Sequence, residues 1–532
     1  MPNGTVLGMA EPGSRASSSA PTLRSSVRDS ISPRLRAVWD LTVPEIREYA
    51  GVHDYDGEVM DLSPAGVRAG LDRLGTARAG AGRSSDRHDE AHLQAAEAGL
   101  RAAYEAAELH RWNPLPHIEN LDLACYNREY APSGEREAAR RRHLAKWPEA
   151  VDASLESLDR IPAPVAQALQ GGAQGLATGV EEEHALAALA HLLERFQQAI
   201  ATGTDDCALG DGVLVRLLGD SEAMAVDLGR LESRADAERD RLRERLEQDC
   251  DRYRSGARPR DLIPELLADH PGDDGIYEQA RLLIGEITDF TLEHDLIPDP
   301  GGTCLVGPAP DSRRWAMAMM SPGGAYEDEA AAWYYVNPPD PSWSDREKAE
   351  WRSVFSATTL PAITAHEVTP GHFAHQRVVM QLARSDVRRS LASASFVEGW
   401  AHYAEELLVE EGFRADDPRY AIGVWLEALL RVTRLACALG IHRGTMGLEE
   451  ATRRFETDAF LRGPAALAEA NRGTYDPTYG RYTWGKLEIL ALRDEAIAEW
   501  GTRYSHLRFH ESLLSLGSPP LGTIGDALAE GS

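Results

Sequence analysis

His366-Glu367-Val368-Thr369-Pro370-Gly371-His372 is the stretch on which the reading of this chain turns. A His-Glu pair followed within two helical turns by another His is how a chain assembles a hydrolytic zinc site. In the common version two His four apart on one helix face hold the ion, and the Glu beside the first activates a water. Here the two His are six apart. On a regular helix six residues rotate by about 240° and rise by about 9 Å, whereas two ligands of one zinc must converge on it at about 2.0–2.1 Å. The helix is therefore expected to be distorted between them. Pro370, which removes a backbone donor, and Gly371, which permits unusual dihedrals, stand where the distortion is needed.

Working outward, a third ligand must come from elsewhere, and a carboxylate one helix downstream is the usual source for a site with one open position. Glu398, 32 residues after His366, fits that place, although a Glu there also suits a helix N-terminus. His375, three residues after His372, is the alternative second imidazole. His402 and Glu405 follow Glu398 at i+4 and i+7, on the same helix face, and are candidates to orient the ligands. A solitary His on an apolar helix is ordinarily a hydrogen-bonded core residue, so it is the combination that points to a metal.

These residues carry a family resemblance. His366–Phe373 resembles the HExxPGHH signature of the bacterial domain of unknown function 885, whose proteins resemble thermostable zinc carboxypeptidases in fold. Phe396-Val397-Glu398-Gly399-Trp400-Ala401-His402-Tyr403-Ala404-Glu405 is similar to the family's FxEGWAxYxE, and Asp54–Gly57 with Asp61–Pro64 resembles its N-terminal region. The likeness spans residues 40 to about 520, with two departures: Phe373 replaces the family's second His after Pro-Gly, and Ala438 replaces the Asp of Asp-x-Gly-x-His.

The resemblance implies a mainly α fold, a large helical zinc-metallopeptidase-like scaffold with a small β-sheet beside a deep central cleft. It implies one zinc on His366, His372 and Glu398, with Glu367 as the base. Tyr482, in a Tyr-x-x-Gly before a helix, is implied as donor to the developing oxyanion, and His442 as a further catalytic candidate. Arg431 and Arg434, on a helix resembling the family's Arg- and His-bearing one, are implied as holders of a substrate carboxylate.

Composition sets the remaining bounds. The chain has 532 residues and a formal charge of −29, which argues against nucleic acid or an anionic membrane as partner. Its five cysteines are scattered and odd in number, reading as reduced thiols. No run reaches the length of a membrane helix and the first 30 residues lack a secretory apolar core, so a cytoplasmic protein is expected. A homodimer is compatible with all of this.

Residues 1–33, rich in Ser, Gly, Pro and Ala, read as a disordered tail. Residues 34–297 read as a helical region, closed by the Pro/Gly-rich break at 298–302. Residues 298–532 read as the catalytic region, opening with strands at 303–306, 315–319 and 333–336 and returning to helices such as 361–384 and 396–411. The Arg/Glu-rich helix at 223–253 reads as a solvated face. The expected function is zinc-dependent hydrolysis of a peptide or amide bond. The alternatives are a metal-dependent tailoring enzyme for an amino-acid-derived small molecule, and an inactive binding protein on the same scaffold.

Overall fold

A computed structural model describes residues 26–80, 82–309, 317–327 and 331–531. The described residues are mainly helical, with one small three-stranded sheet. The architecture is organised around helix Arg419–His442, which is apolar on nearly every side. A helix of that kind must be covered all round. Helix Leu228–Tyr253 packs along it, and helices Ala394–Glu410, Leu448–Asp458, Pro464–Tyr475 and Arg481–Trp500 enclose it.

One apolar core joins Leu231, Leu242 and Leu246 to Phe396, Trp400 and Leu429. It therefore runs across the break at 298–302, which marks a change from helix to sheet and not a gap in packing. A second core joins helices between residues 112 and 207 to the far end of Arg419–His442. No described helix is long and apolar enough to cross a membrane.

The sheet has strands β1 (Cys304–Gly307), β2 (Ala318–Ser321) and β3 (Ala332–Val336), in the order β1-β3-β2. β1 runs parallel to β3, with Val306 opposite Tyr334, and β2 runs antiparallel to it, with Met320 opposite Tyr334. The outer edge of β1 is covered by helix Asp273–Glu293, where Arg281 Nη2 donates to the Val306 carbonyl at 3.0 Å. β2 is the other edge, and its residues line a cleft of about 3660 Å³.

Several expectations need adjustment. Residues 1–25 of the expected tail lie outside the described residues, but 26–33 are built into the fold: Ser26 caps a helical turn at Val27–Ser30, and Arg28 pairs with Asp40 at 2.7 Å. The expected helix 361–384 is two helices, Leu360–Glu367 and His372–Leu382. The second strand in chain order, β2, begins at Ala318, and Trp315 lies outside the described residues.

The charge-laced helix is not simply a solvated face. Its Glu238 is buried and bonded to Arg241 and to Lys486 of helix Arg481–Trp500, so part of its charge is paired inside the protein. Helix Pro464–Tyr475 had no clear apolar period to announce it.

Candidate metal centre

The first metal-side helix, Leu360–Glu367, is buried from Leu360 through His366. It stops because Val368, at φ −111° and ψ −88°, leaves helical geometry, and the Thr369–Pro370 peptide is cis. The Gly371 N–H then reaches back to the Ala365 carbonyl at 3.0 Å, and helix His372–Leu382 starts in a new direction. Only glycine fits at 371, since a Cβ there would sit 1.8 Å from the His366 carbonyl oxygen. The break turns two His that a straight helix would hold apart into neighbours, with ring centroids 4.7 Å apart.

Helix Ala394–Glu410 supplies the third group. Its Trp400 Nε1 donates to the Pro370 carbonyl at 2.9 Å, fastening it to the break, and Gly399 meets Gly485 of helix Arg481–Trp500. A Cβ at 399 would fall 2.5 Å from the Gly485 backbone, so the two helices touch only because both residues are glycine. That crossing sets Glu398 against the two imidazoles. Glu398 Oε2 is 3.6 Å from His366 Nε2 and 3.4 Å from His372 Nε2. All three donor atoms lie within 4.8 Å of one another, the one such cluster found among the described residues.

Behind the cluster, His366 Nδ1 lies 2.6 Å from Glu405 Oε1. Arg431 Nη1 donates to Glu405 Oε2 at 3.1 Å and lies 3.4 Å from Glu427 Oε2. Burial and Arg431 disfavour a charged His366, but Glu398 and Glu405 outweigh them and raise its pKa to about 9. Burial alone would raise Glu398, yet the two imidazoles hold its carboxyl well below the ordinary range. Two nitrogens and a carboxylate oxygen, with a carboxylate behind one imidazole, form a donor set that suits zinc and a backing arrangement common to zinc sites.

Glu367 lines the cleft beside the sheet. Its charge, added to burial, helps push the Cys304 thiol up to about 12. The Tyr482 ring stacks 6.4 Å from that of His366. Burial, then the Glu398 charge, raises the Tyr482 pKa, so its hydroxyl keeps its proton.

The sequence pattern of a family described as bacterial protein of unknown function (DUF885) matches residues 163–528. The chain belongs to that family. The Asp54–Pro64 likeness lies outside the matched part of this DUF885 protein. No curated protein matches its sequence.

Two solved structures share its fold. One is a candidate lipoprotein of unknown function from Shewanella oneidensis, at 20% identity and a TM-score of 0.76, covering 94% of this chain and 98% of that one. The other is a candidate lipoprotein from Colwellia psychrerythraea, at 14% identity and a TM-score of 0.72, covering 93% and 97%.

Not every expected site residue of the DUF885 chain reaches the centre. His442 does not: it is fully buried against Trp112, with Nδ1 3.1 Å from the Cys207 carbonyl, and it is absent from the cleft wall. Burial lowers its pKa to about 4, which makes it a neutral core histidine. His375 turns away to Ser518 Oγ at 3.1 Å. His402 is buried beside Glu405, 3.7 Å from Oε2, and among the described residues its ring nitrogens make no hydrogen bond.

Arg431 and Arg434 were expected to hold a substrate carboxylate, but both are occupied by protein carboxylates. Arg434 Nε and Nη2 each donate to Glu469 at 2.8 Å. Sequence reasoning passed over Glu427, Glu469, Arg472 and Tyr479, all on the cleft wall. Glu427, at i−4 from Arg431, was the one with a readable signal.

Proposed function

We propose that this DUF885 protein is a metal-dependent hydrolase of peptide or amide bonds, with zinc on His366, His372 and Glu398. The observation that carries the reading is the convergence of those three donors on the wall of a large cleft, with Glu367 next in sequence to the first of them. A zinc held there would supply Lewis-acid polarisation and an acidified water. Glu367 would be the base that takes a proton from the attacking water and passes it to the leaving amine. Tyr482, protonated, donates to the oxygen on which charge develops. The β2 edge, which lines the same cleft, offers backbone donors and acceptors to an extended substrate, and this favours a peptide over a compact small molecule.

The test is a panel of short peptides incubated with zinc-loaded protein, wild type beside Glu367→Gln. Gln keeps the shape but accepts no proton, so it should retain zinc and lose turnover by about 10²–10⁴. Silence of a zinc-loaded wild type across the panel would reject the peptidase reading and leave the tailoring alternative. A Glu367→Gln protein that lost its zinc would make Glu367 a ligand instead of a base.

A further inference from the structure

Four arginines line the cleft near Tyr482, and three of them each have a nitrogen within 3.1 Å of a carboxylate oxygen. Arg431 is held by Glu405 and Glu427, and Arg434 by Glu469. Arg481 donates twice to Asp476, at 2.8 and 2.6 Å. The fourth, Arg472, differs. Among the described residues its guanidinium makes no hydrogen bond, and its one ion pair is a long contact of 3.6 Å from Nε to Asp476 Oδ2.

Arg472 is nonetheless fixed in place. Its guanidinium lies 4.3 Å above the centre of the Tyr479 ring, and the Tyr479 hydroxyl is tied to Glu469 Oε2 at 2.7 Å. A guanidinium held over an aromatic ring by cation–π attraction makes no use of its N–H donors there, and its fork can match a carboxylate in two parallel hydrogen bonds. About a third of the side chain, 34%, remains exposed.

Its position relates it to the metal centre. Tyr479 and Tyr482 have ring centroids 6.4 Å apart, and Tyr482 stacks on His366 at the same spacing. From the metal donors the rings step outward through Tyr482 to Tyr479, and Arg472 lies on Tyr479. A substrate reaching from the metal donors past Tyr482 therefore meets an immobilised guanidinium whose fork is open.

We propose that Arg472 is the anchor for a free carboxylate of the substrate, so that the site takes peptides or acylated amino acids ending in a carboxylate and discriminates against their amides. The substrate class rests on the hydrolase reading above, and binding measured apart from turnover separates the two.

The probes are N-blocked dipeptides with an apolar, an acidic or a basic C-terminal side chain, each prepared as free acid and as C-terminal amide. Calorimetric titration into wild type, Arg472→Lys and Arg472→Gln gives the affinities, with thermal unfolding confirming that each variant is folded. At least one free acid should bind wild type about 10–100-fold more tightly than its amide, the worth of a charge-assisted hydrogen-bonded pair. Arg472→Gln should erase that difference by weakening the acid alone, and Arg472→Lys should restore part of it.

An acid–amide difference that is absent, or that survives Arg472→Gln, overturns the anchor. So does failure of every free acid to bind folded wild type, or an equal loss on acid and amide in the variant. If the difference behaves as expected while no peptide is hydrolysed, the anchor stands and the hydrolase reading falls.

Discussion

His366 lies between two carboxylates, with Nδ1 2.6 Å from Glu405 Oε1 and Nε2 3.6 Å from Glu398 Oε2. The first contact fixes the ring and places the Nδ1 proton, leaving Nε2 to face the other two donors. Glu405→Gln keeps the size but removes the charge that makes the imidazole a better ligand. Zinc affinity, measured by competition with a chromophoric chelator, should fall by about 10–100-fold. An unchanged affinity would mean that packing alone orients His366.

The break between the metal-side helices depends on Gly371. Its missing Cβ would lie 1.8 Å from the His366 carbonyl oxygen, a backbone atom that can move only by shifting the ligand itself. Gly371→Ala should cost about 1–3 kcal/mol or more in stability and remove zinc binding. Gly82→Ala, in an exposed loop where an added Cβ meets nothing within 4 Å, is the control and should leave both unchanged. Chemical denaturation with metal analysis decides it, and a Gly371→Ala protein with full zinc would show that the site tolerates a reshaped break.

Tyr482→Phe removes one hydroxyl beside the centre without touching a ligand. On a substrate that wild type hydrolyses, kcat should fall by about 10²–10³ with zinc content unchanged, the usual loss for one oxyanion donor. Retained kcat would leave Tyr482 with packing against His366 as its whole role.

The parts of this centre that were legible in the sequence are those with a local pattern. Pro-Gly between two His announces a helix break, and Glu398 and Glu405 lie seven apart on one helix, so a ligand and its backing carboxylate share a face. His442 had the same appearance as a functional His. What makes it core is Trp112 and the Cys207 carbonyl, more than two hundred residues away in sequence. Arg472 was invisible for the converse reason: an arginine becomes a candidate anchor only when its neighbours' partners are known, and Glu405 comes from helix Ala394–Glu410, well before the helix that carries Glu469 and is capped by Asp476. The charges on helix Leu228–Tyr253 were legible as charges, but which of them turn inward is decided by Glu406 and Lys486, far along the chain on other helices.

Those inward charges make stability depend on pH. Lys486, wholly buried, pairs with Glu406 and lies 3.2 Å from Glu238 Oε1, while Arg241 donates to Glu238 at 2.7 Å and to Glu406 at 2.7 Å. Burial and the Glu406 charge push Glu238 up, but Lys486 and Arg241 outweigh them and bring its pKa down to about 2. An unfolded Glu titrates near 4.3, so between about pH 5 and pH 2 the unfolded chain binds more protons at this residue. Its stabilisation is therefore complete above about pH 5 and is lost as pH falls toward 2. A depression of about two units corresponds to roughly 3 kcal/mol. Glu238→Gln abolishes that titration, so the gap in denaturant-unfolding free energy between wild type and variant should be widest near neutrality and close progressively below pH 5. A gap that stays constant down to about pH 2.5 would mean that Glu238 contributes by hydrogen bonding alone, and that the buried pairs with Lys486 and Arg241 add no net charge stabilisation.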